Sequence, residues 1–163
     1  MNIVTSGWLR RHALAYRFAA GMLLASALLT SACANDKEPR MLTPGVTGYN
    51  HTKDEITFSV NNQAGGYLMP HSGGGKSSCC VSIPRTWSPG TKVKVLWQKG
   101  MESTERVVDV DVPAYDTNKV GALNVHFLRT GEIRVFATML DLRHPDYPLK
   151  GPEAQLRPDV PAR

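Results

Sequence analysis

Hydrophobic and polar residues alternate along five segments in the middle of the chain, EITFSVN, KVKVLWQ, RVVDVDV, LNVHF and EIRVFATM. A period of two is typical of strands that bury one face, because successive side chains of a strand point to opposite sides. The positions predicted to face a core are Ile56, Phe58 and Val60; Val93, Val95 and Trp97; Val108, Val110 and Val112; Leu123, Val125 and Phe127; and Ile133 and Val135.

Short turn motifs separate these segments. SPGT begins at Ser88, QKGME at Gln98 and RTGE at Arg129. No stretch after residue 32 has an apolar period of 3.6 residues over a useful length, so helices are not expected. The pattern predicts an all-β domain, a small antiparallel β-sandwich that is Ig-like in general architecture, with an open barrel as the second choice.

The first 32 residues have a different character. They contain three arginines and no acidic residue, then an apolar run from Phe18 to Leu29 and a few small residues. A basic region, a short apolar run and small residues are the layout of a secretory signal peptide. A membrane-spanning helix needs about 20 apolar residues, so this run is too short for one. We expect residues 1–32 to be removed.

The sequence LLTSAC ends at Cys33 and resembles a bacterial lipobox. That resemblance implies a lipidated Cys33 at the mature N-terminus, with enough acyl chains for stable anchoring. Ala34 stands where an inner-membrane retention signal would have Asp, which favours the outer membrane, on the leaflet facing the periplasm. Plain secretory cleavage after Ala34 is the alternative.

Proline content sets the predicted domain limits. Residues 33–44 are interpreted as the lipidated N-terminus and a tether, and residues 45–148 as the β-sandwich domain. The last twenty residues contain five prolines. Because proline lacks a backbone donor, it disfavours helices and central strands. Residues 149–163 are therefore predicted to be an extended tail on the surface or frayed from it.

Charge argues against nucleic-acid binding. The whole chain has 19 Lys and Arg against 14 Asp and Glu, and the signal peptide removes three of the basic residues. The mature chain is left with 16 against 14, and with no block of five basic residues. A nucleic-acid-binding domain normally has a basic patch or stripe. We expect no nucleic-acid partner.

The stretch HSGGGKSSCC, from His71 to Cys80, resembles the end of a phosphate-binding loop. That motif needs a glycine five residues before Gly75, between a strand and a helix. The residue there is Pro70, and a strand-like sequence follows. Nucleotide binding is therefore not expected, and no cofactor is predicted. The glycines are interpreted as positions of positive φ or of close approach by another surface.

With Cys33 lipidated, Cys79 and Cys80 are the remaining thiols in an oxidising compartment. Three interpretations stay open at this point: two small buried side chains, a vicinal disulfide that stiffens the glycine-rich loop, or a redox or nucleophilic role, for example with His71 or His51. A thioredoxin-type redox site would need C-x-x-C, which the sequence lacks.

The histidines do not form a recognisable metal motif. The spacings of His51, His71, His126 and His144 match no structural zinc pattern, so no metal site is predicted. Each of these histidines is interpreted as a surface or turn residue. Asp109 and Asp111 alternate with valines and are predicted to lie on a solvated strand face, without an acid–base role.

Several short motifs occur together in one order. They are Gly48, Asn50, His51 and Thr52; the run Gly73–Gly75; Cys79, Cys80 and Val81; Pro84, Arg85 and Trp87; and Pro89 and Gly90. In this order they resemble an uncharacterised family of proteobacterial lipoproteins, the domain of unknown function 3304. Later segments, including LNVHFLRTGEIRV and HPDYP, extend the resemblance to about residue 148.

The resemblance implies a function. Members of this family are often encoded beside phospholipase effectors of type VI secretion systems, which implies an immunity protein that neutralises such an effector in the periplasm. No catalytic residues come with the family, and no enzymatic activity is expected. Two alternatives are kept: a structural or accessory envelope lipoprotein, and a thiol protein or enzyme built on His71, Cys79 and Cys80.

The segment from Pro70 to Trp87 is the predicted contact surface for the protein partner. Rigid loops lose little entropy on binding, and Trp and Arg are frequent anchors of interfaces. The residues predicted to touch the partner are His71, Gly73, Gly74, Gly75, Lys76, Arg85 and Trp87. The alternative is that Trp87 packs internally and Arg85 pairs locally.

Overall fold

The computed structural model describes residues 40–75, 77–100 and 104–157. The predicted signal peptide, the lipidation site Cys33 and the predicted contact residue Lys76 lie outside these residues. The described part forms ten strands: β1 (Met41–Leu42), β2 (Gly45–Asn50), β3 (Ile56–Val60), β4 (Ala64–Leu68), β5 (Ser72–Gly73), β6 (Ile83–Pro84), β7 (Lys92–Lys99), β8 (Arg106–Asp111), β9 (Ala122–Phe127) and β10 (Ile133–Thr138). Two short 3₁₀ turns, Thr117–Lys119 and Gly151–Ala154, complete the secondary structure.

Eight of the strands form two four-stranded sheets. The first sheet has the order β10-β9-β2-β5, and the second has the order β4-β3-β7-β8. The short strands β1 and β6 pair with each other beside the first sheet. One core lies between the two sheets, so the all-β sandwich predicted from the sequence is confirmed, and the sheets do not close into a barrel.

The alternating positions fill this core as predicted. Core side chains of β3, β7, β9 and β10 pack against Val46 of β2 and against Val81 and Ile83, which lie before and within β6. Most of these core side chains are less than 3 % exposed. The fully buried members include Ile56, Val60, Val81, Ile83, Val95, Leu123 and Val125. Burial of each such side chain stabilises the fold by about 1.5–3 kcal/mol relative to full exposure. The period-two pattern therefore identifies the inner faces of the strands.

Two details differ from the prediction. The sheets are not wholly antiparallel, because β2 and β9 run parallel, with Gly45 opposite Ala122 and Asn50 opposite Phe127. A parallel pair requires a long crossover connection, and here the whole second sheet lies between the two strands in sequence. The prediction that Val108 is buried with Val110 was wrong. Val108 is 38 % exposed, since it lies on an edge strand and lines an open groove.

The outer face of the first sheet is also covered. Residues 139–157, here called the covering segment, pass over it, and a second apolar cluster lies beneath: Tyr49, Leu128, Phe136, Leu142, Tyr147 and Leu149. Leu149 is 2 % exposed, so the folded part of the chain continues beyond Pro148. The covering segment contains a 3₁₀ turn but no strand, which suits its prolines because no ladder of backbone hydrogen bonds is required.

Candidate functional site

The glycine- and cysteine-rich segment, residues 71–85, lies along one edge of the first sheet, and we call it the glycine-rich edge. It runs antiparallel to residues 40–52 and is joined to them by backbone hydrogen bonds at both ends. The His71 N–H donates to the Thr52 carbonyl over 3.1 Å, and the Arg85 N–H donates to the Arg40 carbonyl over 2.8 Å. The segment therefore protects the edge of β2 and β1 from pairing with other chains.

This edge contains two bulges. Three backbone pairs fix the register: Asn50 with Ser72, Val46 with Ser78 and Leu42 with Ile83. Between the first two pairs, β2 advances four residues, from Asn50 to Val46, and the glycine-rich side advances six, from Ser72 to Ser78. Between the next two pairs, the advance is four against five. Extra residues in one strand bend it and re-aim its side chains, so the vicinal cysteines lie in a bulge.

The glycines of this edge have a specific reason to be glycine. Gly73 has a φ of +153°, and a Cβ there would lie 2.6 Å from both the Gly48 carbonyl oxygen and the Tyr49 Cα. Gly74 has a φ of +73° and packs against the Tyr49 ring. The interpretation that these glycines permit positive φ and close approach is therefore confirmed. Gly75, with a φ of +77°, faces open space.

A disulfide bond joins Cys79 and Cys80. Of the three interpretations left open by the sequence, the structure contains the bridged form, with Cys79 exposed and Cys80 half-buried. In this form neither sulfur is a thiolate, and a thiolate is what a cysteine nucleophile requires.

Arg85 and Trp87 lie at the far end of the edge from His71. The Trp87 indole N–H donates to the Val112 carbonyl over 2.8 Å, and the ring is half-buried. The Arg85 carbonyl accepts from the Thr117 hydroxyl over 2.6 Å. These contacts tie the loop after β6 to the loop after β8. The role of Arg85 and Trp87 as partner contacts stays a prediction.

The sequence did not identify a buried polar cluster on the outer face of the first sheet. His51 and His126 are fully buried, so the interpretation of both as surface or turn residues was wrong. Asn124 is 3 % exposed. They lie on the polar side of β9 and at the end of β2, where the covering segment replaces water. We call Asn124, Tyr147, His126, His51 and the Gln155 carbonyl the histidine relay.

The direction of every hydrogen bond in the relay follows from its two ends. The Gln155 carbonyl can only accept, so the His51 Nδ1–H donates to it over 3.1 Å. The Nε2 atom of neutral His51 then accepts from the His126 Nδ1–H over 3.0 Å. The His126 Nε2 atom accepts from the Tyr147 hydroxyl over 2.6 Å, and the Tyr147 oxygen accepts from the Asn124 amide over 3.1 Å.

The electrostatics favour the neutral form of both imidazoles. Burial, and then the neighbouring His51, hold the pKa of His126 well below its ordinary value. Burial also lowers the pKa of His51, although the Gln155 carbonyl and the Glu153 carboxylate oppose this. Burial raises the pKa of Tyr147, so its hydroxyl keeps its proton. A neutral relay has one donor and one acceptor at each ring, as the geometry requires.

Aromatic rings hold His126 in place. The Tyr49 ring is stacked on it, with 4.5 Å between centroids and 3° between planes. Phe136 meets it edge-on from β10, with centroids 5.7 Å apart. Gly73 and Gly74 in turn pack against Tyr49. The glycine-rich edge therefore supports the relay through Tyr49.

Arg129 clamps the end of the covering segment. Its guanidinium donates to the Glu153 carboxylate over 2.9 Å, to the Pro152 carbonyl over 3.1 Å and to the Gln155 carbonyl over 2.6 Å. The His71 Nδ1–H donates to the Leu156 carbonyl over 3.1 Å. Charge-assisted hydrogen bonds are roughly twice as strong as neutral ones. Residues 152–156 are thus fixed by side chains of the sheet and its edge.

Two concave surfaces lie on the open side of the sandwich. A groove of about 750 Å³ separates the edge strands β8 and β10, and Val108, Val110 and Val135 are among the apolar residues that line it. It adjoins a cleft of about 360 Å³ at the end of the sandwich, which Lys53 and Arg129 help to line. Trp97 borders both. The relay imidazoles themselves have no exposed surface.

The predicted solvated face of β8 is confirmed. Asp109 and Asp111 are exposed, and their carboxylates lie 2.8 Å from Lys94 and 3.5 Å from Lys92 on β7. The Lys94 ammonium group lowers the pKa of Asp109 by a hydrogen bond and by its charge. Such exposed pairs are screened by water and contribute little to stability.

Within the described ranges, no group of three or more His, Cys, Asp or Glu side chains could hold a metal ion. The same residues include no helix with the length and apolar character needed to cross a membrane.

Comparison with known proteins identifies the family of this chain. A family model described as a protein of unknown function (DUF3304) matches residues 49–135, just over half of the chain. No curated protein and no solved structure matches. The matched region begins within β2 and ends within β10, so it includes Tyr49, His51, the glycine-rich edge and His126. On this match, the chain belongs to the DUF3304 family.

Proposed function

We propose that this protein is a lipid-anchored immunity protein, which binds and neutralises a phospholipase effector of a type VI secretion system in the periplasm. The export signal, the lipobox-like sequence ending at Cys33 and the order of motifs between Gly48 and Gly90 support this proposal. Anchoring in the outer membrane would keep the inhibitor at the surface on which a phospholipase acts.

The observation that carries the proposal is the open side of the sandwich. Neither β8 nor β10 pairs with a further strand within the described residues, and the groove between them is lined by valines together with charged residues such as Arg106 and Arg134. Val107 is 56 % exposed and Val108 38 % exposed on β8. Unpaired strand edges and exposed apolar residues are typical of surfaces that bind other proteins.

The framework around this groove is rigid, which suits an inhibitor. The first sheet is packed on both faces, and the glycine-rich edge is bonded to β2 and β1. A preorganised surface loses little conformational entropy on binding, so more of the interaction energy appears as affinity. We expect a dissociation constant on the order of nanomolar, as in other inhibitor complexes of standard size.

The test is protection and binding. We expect a phospholipase gene beside this one, and co-expression of the chain should rescue cells that express that effector in their periplasm. The purified proteins should form a complex. Rescue that fails while the purified chain captures components of an envelope assembly would replace this proposal with the accessory-lipoprotein alternative.

Two charge substitutions locate the contact surface. Val108→Lys places a charge in the groove between β8 and β10, and Lys76→Glu reverses a charge on the predicted contact segment. Thr57→Lys, on an exposed position of β3, is the matched control. Loss of binding in one of the first two variants, with the control unaffected, assigns the surface. Unchanged binding in Val108→Lys removes the groove from the proposal.

A further inference from the structure

We propose that the histidine relay is a pH-sensitive latch, which holds the covering segment on the first sheet at neutral pH and releases it when His51 and His126 take up protons. The relay joins two strands of the sheet to Tyr147 and Gln155 of the covering segment. This inference does not depend on the proposed immunity function.

With both imidazoles neutral, the hydrogen bonds of the relay can run in only one direction. When His51 is protonated, both of its ring nitrogens carry hydrogen, and its Nε2–H faces the His126 Nδ1–H across 3.0 Å. Two donors then point at each other. His126 avoids this conflict by adopting its other tautomer, with a free Nδ1 and a hydrogen on Nε2.

That change passes the conflict on to Tyr147. The His126 Nε2–H now points at the Tyr147 oxygen, 2.6 Å away, which already accepts from the Asn124 amide. The Tyr147 hydroxyl hydrogen loses its acceptor, and the residue is 1 % exposed. A buried donor without a partner is unfavourable, and it is relieved when the covering segment leaves the sheet.

Protonation of His126 has the same result. Its Nε2–H again meets the Tyr147 oxygen, and the positive charge lies among the rings of Tyr49, Phe136 and Tyr147. A buried charge without a counter-ion is strongly unfavourable. Burial accordingly holds the pKa of His126 well below its ordinary value.

The charged and titratable groups that face the pair and Tyr147 come from every element packed against them: Tyr49 from β2, His71 from the turn before β5, Arg129 from the turn after β9, and Asp141, Tyr147 and Glu153 from the covering segment. Glu153 is the group best placed to favour a charged imidazole, at 3.6 Å from the His51 Nδ1 atom. It is already bound by Arg129, whose charge opposes a second cation there.

The covering segment is the element that opens when the histidines take up protons, because of the way it is attached to the sheet. It adds no strand to the sheet, so its position depends on side chains. These are the apolar contacts of Leu142, Tyr147 and Leu149, the relay, and the clamp of Arg129. Since local opening draws on regions with few backbone ladders, this segment opens before the strands beneath it.

The direction of the pH effect follows from the exposure of the rings. An opened segment returns both imidazoles to water, where their pKa is about 6.5. The opened state binds protons that the closed state excludes, so opening increases as the pH falls. The opening equilibrium rises up to about tenfold per pH unit for each histidine that is protonated on release.

Hydrogen–deuterium exchange of the full-length purified chain tests this proposal. Exchange is followed from pH 7.5 to pH 4.5 and corrected for the intrinsic rate at each pH. Peptides within residues 140–157 should lose protection by at least tenfold between pH 6.5 and pH 5.5, while peptides of β3 and β7 keep theirs. Equal protection of the covering segment at both pH values overturns the proposal, as does a parallel loss in all strands.

Variants separate the relay from other titrating groups. His126→Phe combined with Tyr147→Phe removes one of the two titrating rings and the hydroxyl that needs an acceptor. It should roughly halve the pH dependence of exchange on a logarithmic scale, because only His51 still takes up a proton on opening. His144→Gln, an exposed histidine on the same segment, is the control and should leave the dependence unchanged. A pH dependence that His144→Gln abolishes overturns the assignment to the relay.

A measurement on the wild-type chain covers the case in which the double variant does not fold. Proton titration of the imidazole rings by NMR should show His51 and His126 becoming protonated together with the loss of protection in residues 140–157. Protonation of both rings with the covering segment still protected overturns the latch.

Discussion

The imidazoles of His51 and His126 lie 3.0 Å apart, nitrogen to nitrogen, at the centre of the interface between the first sheet and the covering segment. They come from adjacent parallel strands, where β2 ends at Asn50 and β9 ends at Phe127. This relationship joins the two ends of the domain, because His51 also bonds to Gln155 and His126 to Tyr147. The relay therefore links β2 to the covering segment.

Tyr147→Phe should destabilise the protein without changing its shape. The substitution removes only the hydroxyl, and it leaves the His126 Nε2 atom and the Asn124 amide without their partner. An unpaired buried polar group costs about 1–3 kcal/mol, so we expect a loss of that size in the free energy of unfolding. Urea denaturation at pH 7.5 measures it.

The control for this variant is Tyr67→Phe, which removes a hydroxyl that bonds to Glu55 from a side chain that is 55 % exposed, where water can replace the lost partner. It should change the free energy of unfolding far less than Tyr147→Phe does. Equal effects in the two variants would mean that the relay hydroxyl contributes nothing specific.

The stability of the whole protein should fall in mild acid. The pKa values of His51 and His126 are lowered by burial in the folded chain, so the unfolded chain binds protons first as the pH drops. The free energy of unfolding should be constant with respect to these groups well above pH 6.5, and should decrease below it. The slope is up to about 1.4 kcal/mol per pH unit for each histidine.

Thermal or urea unfolding between pH 7.5 and pH 5 measures this slope. The carboxylates do not explain it, because the lowered pKa values of Asp54, Asp109 and Glu132 act at more acidic pH, below their ordinary values near 4. A stability that rises between pH 6.5 and pH 5 would contradict the buried neutral pair.

The strands were predictable from the sequence because their pattern is local. Alternation at Ile56, Phe58 and Val60 reflects one buried and one more exposed face, which β3 has in the structure. The same reasoning was correct for β7, where Lys92 and Lys94 alternate with buried valines and are exposed. The parallel pairing of β2 with β9 was not predictable, since it depends on the path of the chain between them.

The relay was missed because alternation does not distinguish water from a second protein layer. Asn124 and His126 occupy the polar positions of β9, which in a two-layer sandwich would face solvent. The covering segment that buries them is rich in proline, and its composition is typical of an extended tail. The available signal was the apolar residues within the covering segment, Leu142, Tyr147 and Leu149, which need a surface to pack on.

The vicinal disulfide should contribute little to stability. In the chain-entropy description a disulfide stabilises by closing a loop of the unfolded chain, and a bond between adjacent residues closes the shortest loop there is. Cys79→Ser with Cys80→Ser should therefore lower the free energy of unfolding by only about 1 kcal/mol. Intact mass, which increases by two hydrogens on reduction, checks that the wild-type protein is bridged. A loss several times larger would show that the bridge organises the bulge.

Gly73→Ala should be markedly destabilising. A Cβ at this position would lie 2.6 Å from the Tyr49 Cα and from the Gly48 carbonyl oxygen, and φ is +153°, where side chains are strongly disfavoured. Either the edge moves away from β2 or Tyr49 shifts from its stack on His126. Overpacking costs about 1–3 kcal/mol, to which the backbone strain adds.

Gly66→Ala is the matched control, because nothing lies within 4 Å of its Cβ position and it has no positive φ. Since Tyr49 connects the glycine-rich edge to the relay, Gly73→Ala should also reduce the exchange protection of the covering segment, whereas Gly66→Ala should not. A Gly73→Ala protein that unfolds earlier but protects residues 140–157 normally would show that the edge and the relay are energetically separate.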